Sequence, residues 1–298
     1  VNTIEKNIGR CSKNFDAILL DAYGVFWGGN GVGLLPGAKE VMADLTTQGK
    51  IVGILSNSTQ LGEKEIQKLH TNGLIQGEHF HFMVTSGDII KEVLFREELP
   101  FETPNKTYCL SGNAHPKFSS HKDIFFGSPY AEVSHFSQAD FIYTSIPHIL
   151  GEDQTNPDVF KEHVKNVIAS GLPLVCANPD RFAHEGNPAR AVVRQGTIAR
   201  MYEELGGKVI YFGKPYSIAF KVAMERFASW GIWNPNQVLM VGDTPETDIR
   251  GANLFGMNSV LVTKTGITAD RISHAGMEIV LNSLSKEEVP HYLIETLG

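Results

Sequence analysis

The chain has 298 residues, 42% hydrophobic and 20% charged, with a formal net charge of −7. That balance excludes a mostly disordered polymer, and the length suits one large domain or two smaller ones. No basic run offers a nucleic-acid footprint and no apolar stretch reaches the length of a membrane span, so neither nucleic acid nor a bilayer is expected as a partner.

Taken in chain order, the first residues (VNTIEKNIGR) contain no apolar signal core. Residues 16–21 (DAILLD) read as a buried strand. The glycine-rich stretch 28–33 (GGNGVG) fits neither a GxGxxG nor a Walker pattern and reads as a loop or hairpin. Residues 36–48 read as a helix with Pro36 at its start and Gly49 as a stop. Residues 50–56 (KIVGILS) form a second strand and 61–72 a polar helix. In the middle of the chain, 106–110, 141–144 and 172–177 look like strands and 158–170 like a helix. Residues 208–213 (KVIYFG) are expected as a third core strand and 237–243 (QVLMVGD) as a fourth. A helix is expected from Pro245 to Gly256, then a fifth strand at 259–263. Short apolar runs alternating with helical patterns predict an α/β protein with a parallel sheet. The stretch from about residue 87 to 205 reads as a small α/β unit inserted into the first. Three cysteines (Cys11, Cys109, Cys176) without CxxC spacing suit a reducing cytoplasm rather than a disulfide frame or a zinc site.

The polar residues gather at the ends of the expected core strands: Asp21, then Ser56-Asn57-Ser58, then Gly213-Lys214-Pro215, then Gly242-Asp243 with Asp248 five residues on. In an open parallel sheet such ends share one crevice. Carboxylates without histidine or cysteine make a hard oxygen site suited to Mg²⁺. A hydroxyl and a lysine can hold phosphate oxygens, and a carboxylate can attack phosphorus. Each piece alone has a plainer reading: Asp21 as a turn residue, Lys214 as a surface lysine, Asp243 or Thr244 as a helix cap. All four in order, each at a strand end, favour the shared site.

That ordered set resembles the haloacid dehalogenase superfamily, in its class IIA branch of p-nitrophenylphosphatase-like, nucleotide and sugar phosphatases. The resemblance implies a Rossmann-like core of residues 1–86 and 206–298 with an α/β cap of residues 87–205 inserted between the Ser56 and Lys214 motifs. Residues 26–35 resemble the family's loop excursion after the first strand, and 176–181 (CANPDR) its cap substrate loop. It implies Asp21 as nucleophile and metal ligand, and the Tyr23 carbonyl as a second ligand. Ser56 and Lys214 would bind the phosphoryl group, with Asn57 and Ser58 beside them. Asp243 and Asp248 would serve Mg²⁺, and Asn178, Asp180 and Arg181 would face substrate from the cap. A small phosphorylated metabolite is the implied partner, and a homodimer is an implied assembly.

The sequence departs from the family where Asp-x-Asp reads Asp21-Ala22-Tyr23. The missing carboxylate ordinarily protonates the leaving oxygen. A slow phosphatase, or one specialised for good leaving groups, is one expectation. A proton from the cap, with His184 and His115 as candidates, is a second. A protein that binds a phosphorylated ligand without turnover is a third. A metal-independent 2-haloacid dehalogenase, which writes the motif Asp-x-Tyr-Gly, is a fourth, opposed by the acidic pair Asp243 and Asp248.

Overall fold

The computed structural model describes residues 4–29, 31–185 and 190–298. Residues 1–3 of the opening segment and Asn30 of the glycine-rich stretch lie outside them. The first strands are β1 (Ile4–Glu5), β2 (Ala17–Leu20), β3 (Ile51–Ser56), β4 (Phe82–Thr85), β5 (Thr107–Leu110), β6 (Ala131–Glu132) and β7 (Phe141–Tyr143). They are followed by β8 (Leu174–Cys176), β9 (Phe182–Glu185), β10 (Arg190–Val193), β11 (Val209–Tyr211), β12 (Val238–Gly242), β13 (Asn258–Val262) and β14 (Tyr292–Ile294).

Seven of these form a sheet in the order β1-β14-β13-β12-β2-β3-β4, parallel at every step. Its central strands are unbroken apolar runs because both faces are covered. Successive side chains alternate between two cores. Ala17, Leu19, Val238 and Met240 point to one, and Ile18, Leu20, Leu239 and Val241 to the other. Helix Ala38–Thr47 lays Ala38, Met42 and Leu45 on the second face at helical spacing. Helix Ser217–Ala228 lays Ala219, Phe220, Ala223 and Phe227 on the first.

A second, five-stranded sheet runs β11-β8-β7-β5-β6, also parallel throughout. Strands β9 and β10 pair separately and antiparallel. The cores are not separate. Tyr108, Phe141, Tyr143 and Val175 of the second sheet belong to one apolar cluster with Leu19, Leu55 and Met240 of the first, through Ile89, Ile90 and Val93 of helix Ser86–Phe95. The second sheet's other face packs Ile142, Leu174 and Cys176 on Val164, Val167, Ile198 and Tyr202.

One strand lies elsewhere than expected. Val209–Tyr211 is not in the seven-stranded sheet; it pairs with β8 at the edge of the second. Its three residues are only half-buried, as an edge strand allows, and an apolar triplet carries no mark of which sheet it will join. The expected helix over 245–256 begins as one wide π turn, Pro245–Ile249, before the α-helix Arg250–Phe255. All three cysteines are buried and free. Among the described residues no helix is long and apolar enough to cross a membrane.

Candidate active site

β2 lies between β12 and β3, so the residue after it is central to the carboxyl edge. The Asp21 N–H donates to the Val241 carbonyl at 2.9 Å, which sets the ends of β2 and β12 level. Asp21, Asp243 and Asp248 each offer a carboxylate oxygen, and these oxygens lie within 4.8 Å of one another.

The π turn explains how Asp248 joins this set. The wide turn brings its carboxylate back over the start of its own helix, where Oδ2 accepts the N–H groups of Asp243 at 3.1 Å and Thr244 at 3.0 Å. Such turns recur at functional sites because they redirect a side chain. Asp243 is held just as firmly. Its Oδ1 accepts from the Thr244 hydroxyl at 3.0 Å and its Oδ2 from the Ile267 N–H at 2.6 Å. Gly24 (φ 80°) and Gly266 (φ 72°) press against that carboxylate, and a side chain at either would collide with it.

Lys214 completes the floor. Its ammonium donates to Asp21 Oδ1 at 2.5 Å and lies 2.9 Å from Asp248 Oδ1. The lysine is 1% exposed. Burial alone would pull its pKa down; Asp21, Asp248 and Asp180 outweigh that and hold it up, so it stays charged. Burial pushes Asp21 up to about 7, with Asp248 adding and Lys214 opposing. Asp243 is raised well above the ordinary carboxylate range by burial, then by Asp21 and Asp248. Three buried acids facing one lysine are an arrangement in want of positive charge. The donor set is all oxygen and anionic, which fits a hard divalent cation such as Mg²⁺.

Asn57 acts as a bracket. Its Nδ2 donates to Asp180 Oδ1 at 2.9 Å and to the Lys214 carbonyl at 3.0 Å, and its Oδ1 accepts the Lys214 N–H at 2.7 Å. One side chain thus ties the end of β3 to the segment carrying Lys214 and to the loop after β8. Lys214 reaches the site from the second sheet's edge strand, not from a core strand. Asp180 is raised to about 6 by burial, although Lys214 and Asn57 pull it down. Asn178 Oδ1 accepts the Asp180 N–H at 2.9 Å and shapes that turn. Ser56 Oγ accepts the Ser58 N–H at 3.2 Å, and Ser58 Oγ donates to Glu65 Oε1 at 2.9 Å.

These residues line a cavity of about 650 Å³ between the two sheets, together with Tyr23, Lys68, His184 and Asp270. Arg181 does not line it. Its carbonyl is tied to the Arg194 N–H and the Thr197 hydroxyl, and its exposed guanidinium lies over the Phe182 ring. His184 lines the cavity, but its Nε2 is paired with Asp270. His115 lies outside it, on a smaller cavity. The Tyr23 hydroxyl accepts from Lys68 at 3.3 Å, and its ring sits beneath that ammonium. Burial, with Glu65 nearby, raises its pKa above the ordinary phenol value, so it remains protonated and cannot serve as a base. Sequence reasoning gave Thr244 only as a helix cap and missed Thr265, Ile267 and Thr268. The two later threonines cap the Gly24 and Asp243 carbonyls, each at 2.6 Å. A Thr-x-x-Thr run opening a helix after a strand was the available signal.

Residues 18–116 match the family model described as haloacid dehalogenase-like hydrolase, and residues 211–294 one described as HAD-hydrolase-like. The chain is 26% identical to chronophin of Rattus norvegicus, over 94% of this chain and 85% of that protein. Among solved structures it resembles a haloacid dehalogenase-like hydrolase of Brucella suis 1330, with TM-score 0.78, 21% identity, 99% of this chain and 100% of that one. It also resembles the 4-nitrophenylphosphatase of Thermotoga maritima, with TM-score 0.65, 22% identity and 96% of each chain.

Proposed function

We infer that this chain, which belongs to the haloacid dehalogenase-like hydrolases, is a class IIA phosphatase that uses Asp21 as its nucleophile and Mg²⁺ as its cofactor. The single observation behind this reading is the junction of Asp21, Asp243, Asp248 and Lys214 on the floor of one large cavity.

In the proposed reaction an Asp21 carboxylate oxygen attacks phosphorus, and the ester oxygen leaves with its electron pair and takes up a proton. An aspartyl-phosphate remains, and water attacks its phosphorus to release inorganic phosphate and restore Asp21. Lys214 exchanges its hydrogen bond with Asp21 for one to a phosphoryl oxygen, held in place by Asp248. The Ser56 hydroxyl donates to a second phosphoryl oxygen. Asp21, Asp243, Asp248 and the Tyr23 carbonyl would hold Mg²⁺, which would neutralise the phosphoryl charge. We assign the second sheet as the cap, with β11 added to the expected span of 87–205, and a small phosphorylated metabolite as the substrate.

Tyr23 stands where the family's second carboxylate would act. A positioned general acid is worth about 10²–10⁴ in rate, so aryl and acyl phosphates, whose leaving oxygens need little help, should turn over fastest. The acidic pair Asp243 and Asp248 disfavours a metal-independent dehalogenase, because it would repel a haloacid carboxylate.

The test is release of p-nitrophenol from p-nitrophenyl phosphate. Turnover with Mg²⁺ should stop on chelation and fall by at least about 10³ in Asp21→Asn. Equal rates for the two proteins would remove Asp21 from the mechanism.

A further inference from the structure

The second parallel sheet has a carboxyl edge of its own, and ligands of such sheets gather there. β5 ends at Leu110 and β7 at Tyr143. The loops beyond them meet the first turn of helix Gln195–Glu204 around a small cavity of about 10 Å³. Phe118, Ile146 and Gln195 line both this cavity and the large one, so the two adjoin.

His115, Tyr143 and Gln195 are 3%, 2% and 2% exposed. His115 Nε2, the Tyr143 hydroxyl and Gln195 Oε1 have no hydrogen-bond partner among the described residues. Buried polar atoms are rarely left unpaired, and several on one cavity point to a bound polar group. Of the other wall groups, Thr144 Oγ1 donates to the Val175 carbonyl and Ser120 Oγ meets Thr59 Oγ1, while His121 Nε2, 3.5 Å from Glu132 Oε2, also makes no hydrogen bond among the described residues.

The chemistry of the three atoms is specific. His115 Nδ1 accepts the N–H groups of Lys117 and Phe118 at 3.1 and 3.2 Å, which assigns the ring proton to Nε2. Burial, with His148 beside it, keeps that ring neutral. The cavity therefore offers one donor, one hydroxyl and one carbonyl acceptor beside the His121 ring nitrogen, and among the described residues no lysine or arginine lines it. Their complement is a neutral hydroxyl, which accepts from His115 and donates to Gln195. A carboxylate would bury charge without a cation and set an anion against Gln195 Oε1. A nucleobase exceeds the space.

We propose that this small cavity is a subsite for the distal hydroxyl of the substrate, which is then a phosphomonoester of a polyol or sugar rather than of a nucleoside. The inference rests on the phosphatase reading for the phosphate end of the ligand only.

The experiment compares alkyl phosphates of two to six carbons with their ω-hydroxyalkyl counterparts. Affinity is measured by calorimetry with Mg²⁺ on Asp21→Asn protein, so that turnover plays no part. At one chain length the terminal hydroxyl should tighten binding by about tenfold or more. Tyr143→Phe removes one unpartnered oxygen and keeps its ring in the core, and Gln195→Met keeps the side-chain volume. Each should erase the difference within the pair. No hydroxyl advantage at any length, or an advantage that survives both substitutions, overturns the proposal and leaves the cavity to water. The phosphatase reading stands or falls separately, on release of p-nitrophenol by the unaltered protein.

Discussion

Asp21 and Tyr23 sit two residues apart and carry opposite messages. Asp21 lies against Lys214 and the acids that would share a cation. Tyr23 carries a phenol tied to Lys68 at the position where the proposed mechanism would want a proton donor. Tyr23→Asp should raise turnover of alkyl phosphates by roughly 10–10² while changing aryl phosphates little, read as kcat on the two classes. No gain on alkyl esters would assign proton transfer to another group. The acids also predict a pH dependence. Asp21 titrates near 7 in the folded protein, above its unfolded value, chiefly through burial, and Asp243 is raised too. Without metal the folded state therefore holds more protons than the unfolded chain between about pH 4 and 7, so stability is lost as pH rises through that window. Protons compete with Mg²⁺ for the same oxygens, so the rise in Tm on adding Mg²⁺ should grow from pH 5 to pH 8. A metal-induced shift that shrinks over that range would count against these carboxylates as ligands.

Elements aim these side chains. The π turn Pro245–Ile249 folds Asp248 back onto the Asp243 and Thr244 amides, and helix Gly266–Ala275 begins with an N–H pointed at Asp243. Gly266→Ala places a methyl group on that carboxylate at a positive φ. It should destabilise the fold by about 1–3 kcal/mol and weaken Mg²⁺ binding, measured by thermal melts with and without the ion. A melt unchanged in both conditions would mean that the helix start relaxes freely. Strands β2, β3 and β12 were legible in sequence because a strand buried on both faces must be apolar throughout. Val209–Tyr211 was equally legible as a strand, but its sheet was not, since pairing partners are set by crossovers rather than by local pattern.

At the scale of the whole molecule, the two sheets are joined both by an apolar cluster and by polar ties. The cluster runs from Leu19 and Met240 to Phe141 and Val175. Asn57 to Asp180 and His184 to Asp270 close the cavity from two sides. A shared core predicts one cooperative unfolding transition. Tryptophan fluorescence, which reports Trp27, Trp230 and Trp233 of the first unit alone, should melt together with far-ultraviolet circular dichroism, which reports both sheets. Two separated transitions would mean that the cluster is too weak to couple them.

The sequence by itself determined the α/β class, the parallel sheet and the cluster of Asp21, Ser56, Lys214 and Asp243. Apolar runs and strand-end polar residues are local features, and burial on both faces leaves them little freedom. Only the tertiary structure decided that Lys214 arrives from the second sheet, that Asn57 is a bracket and that Arg181 lies outside the cavity. It alone brought His115, Tyr143 and Gln195 around one small space. Those outcomes depend on which distant segments pack together, and packing follows from the shape and burial of the whole chain, not from the spacing of residues along it.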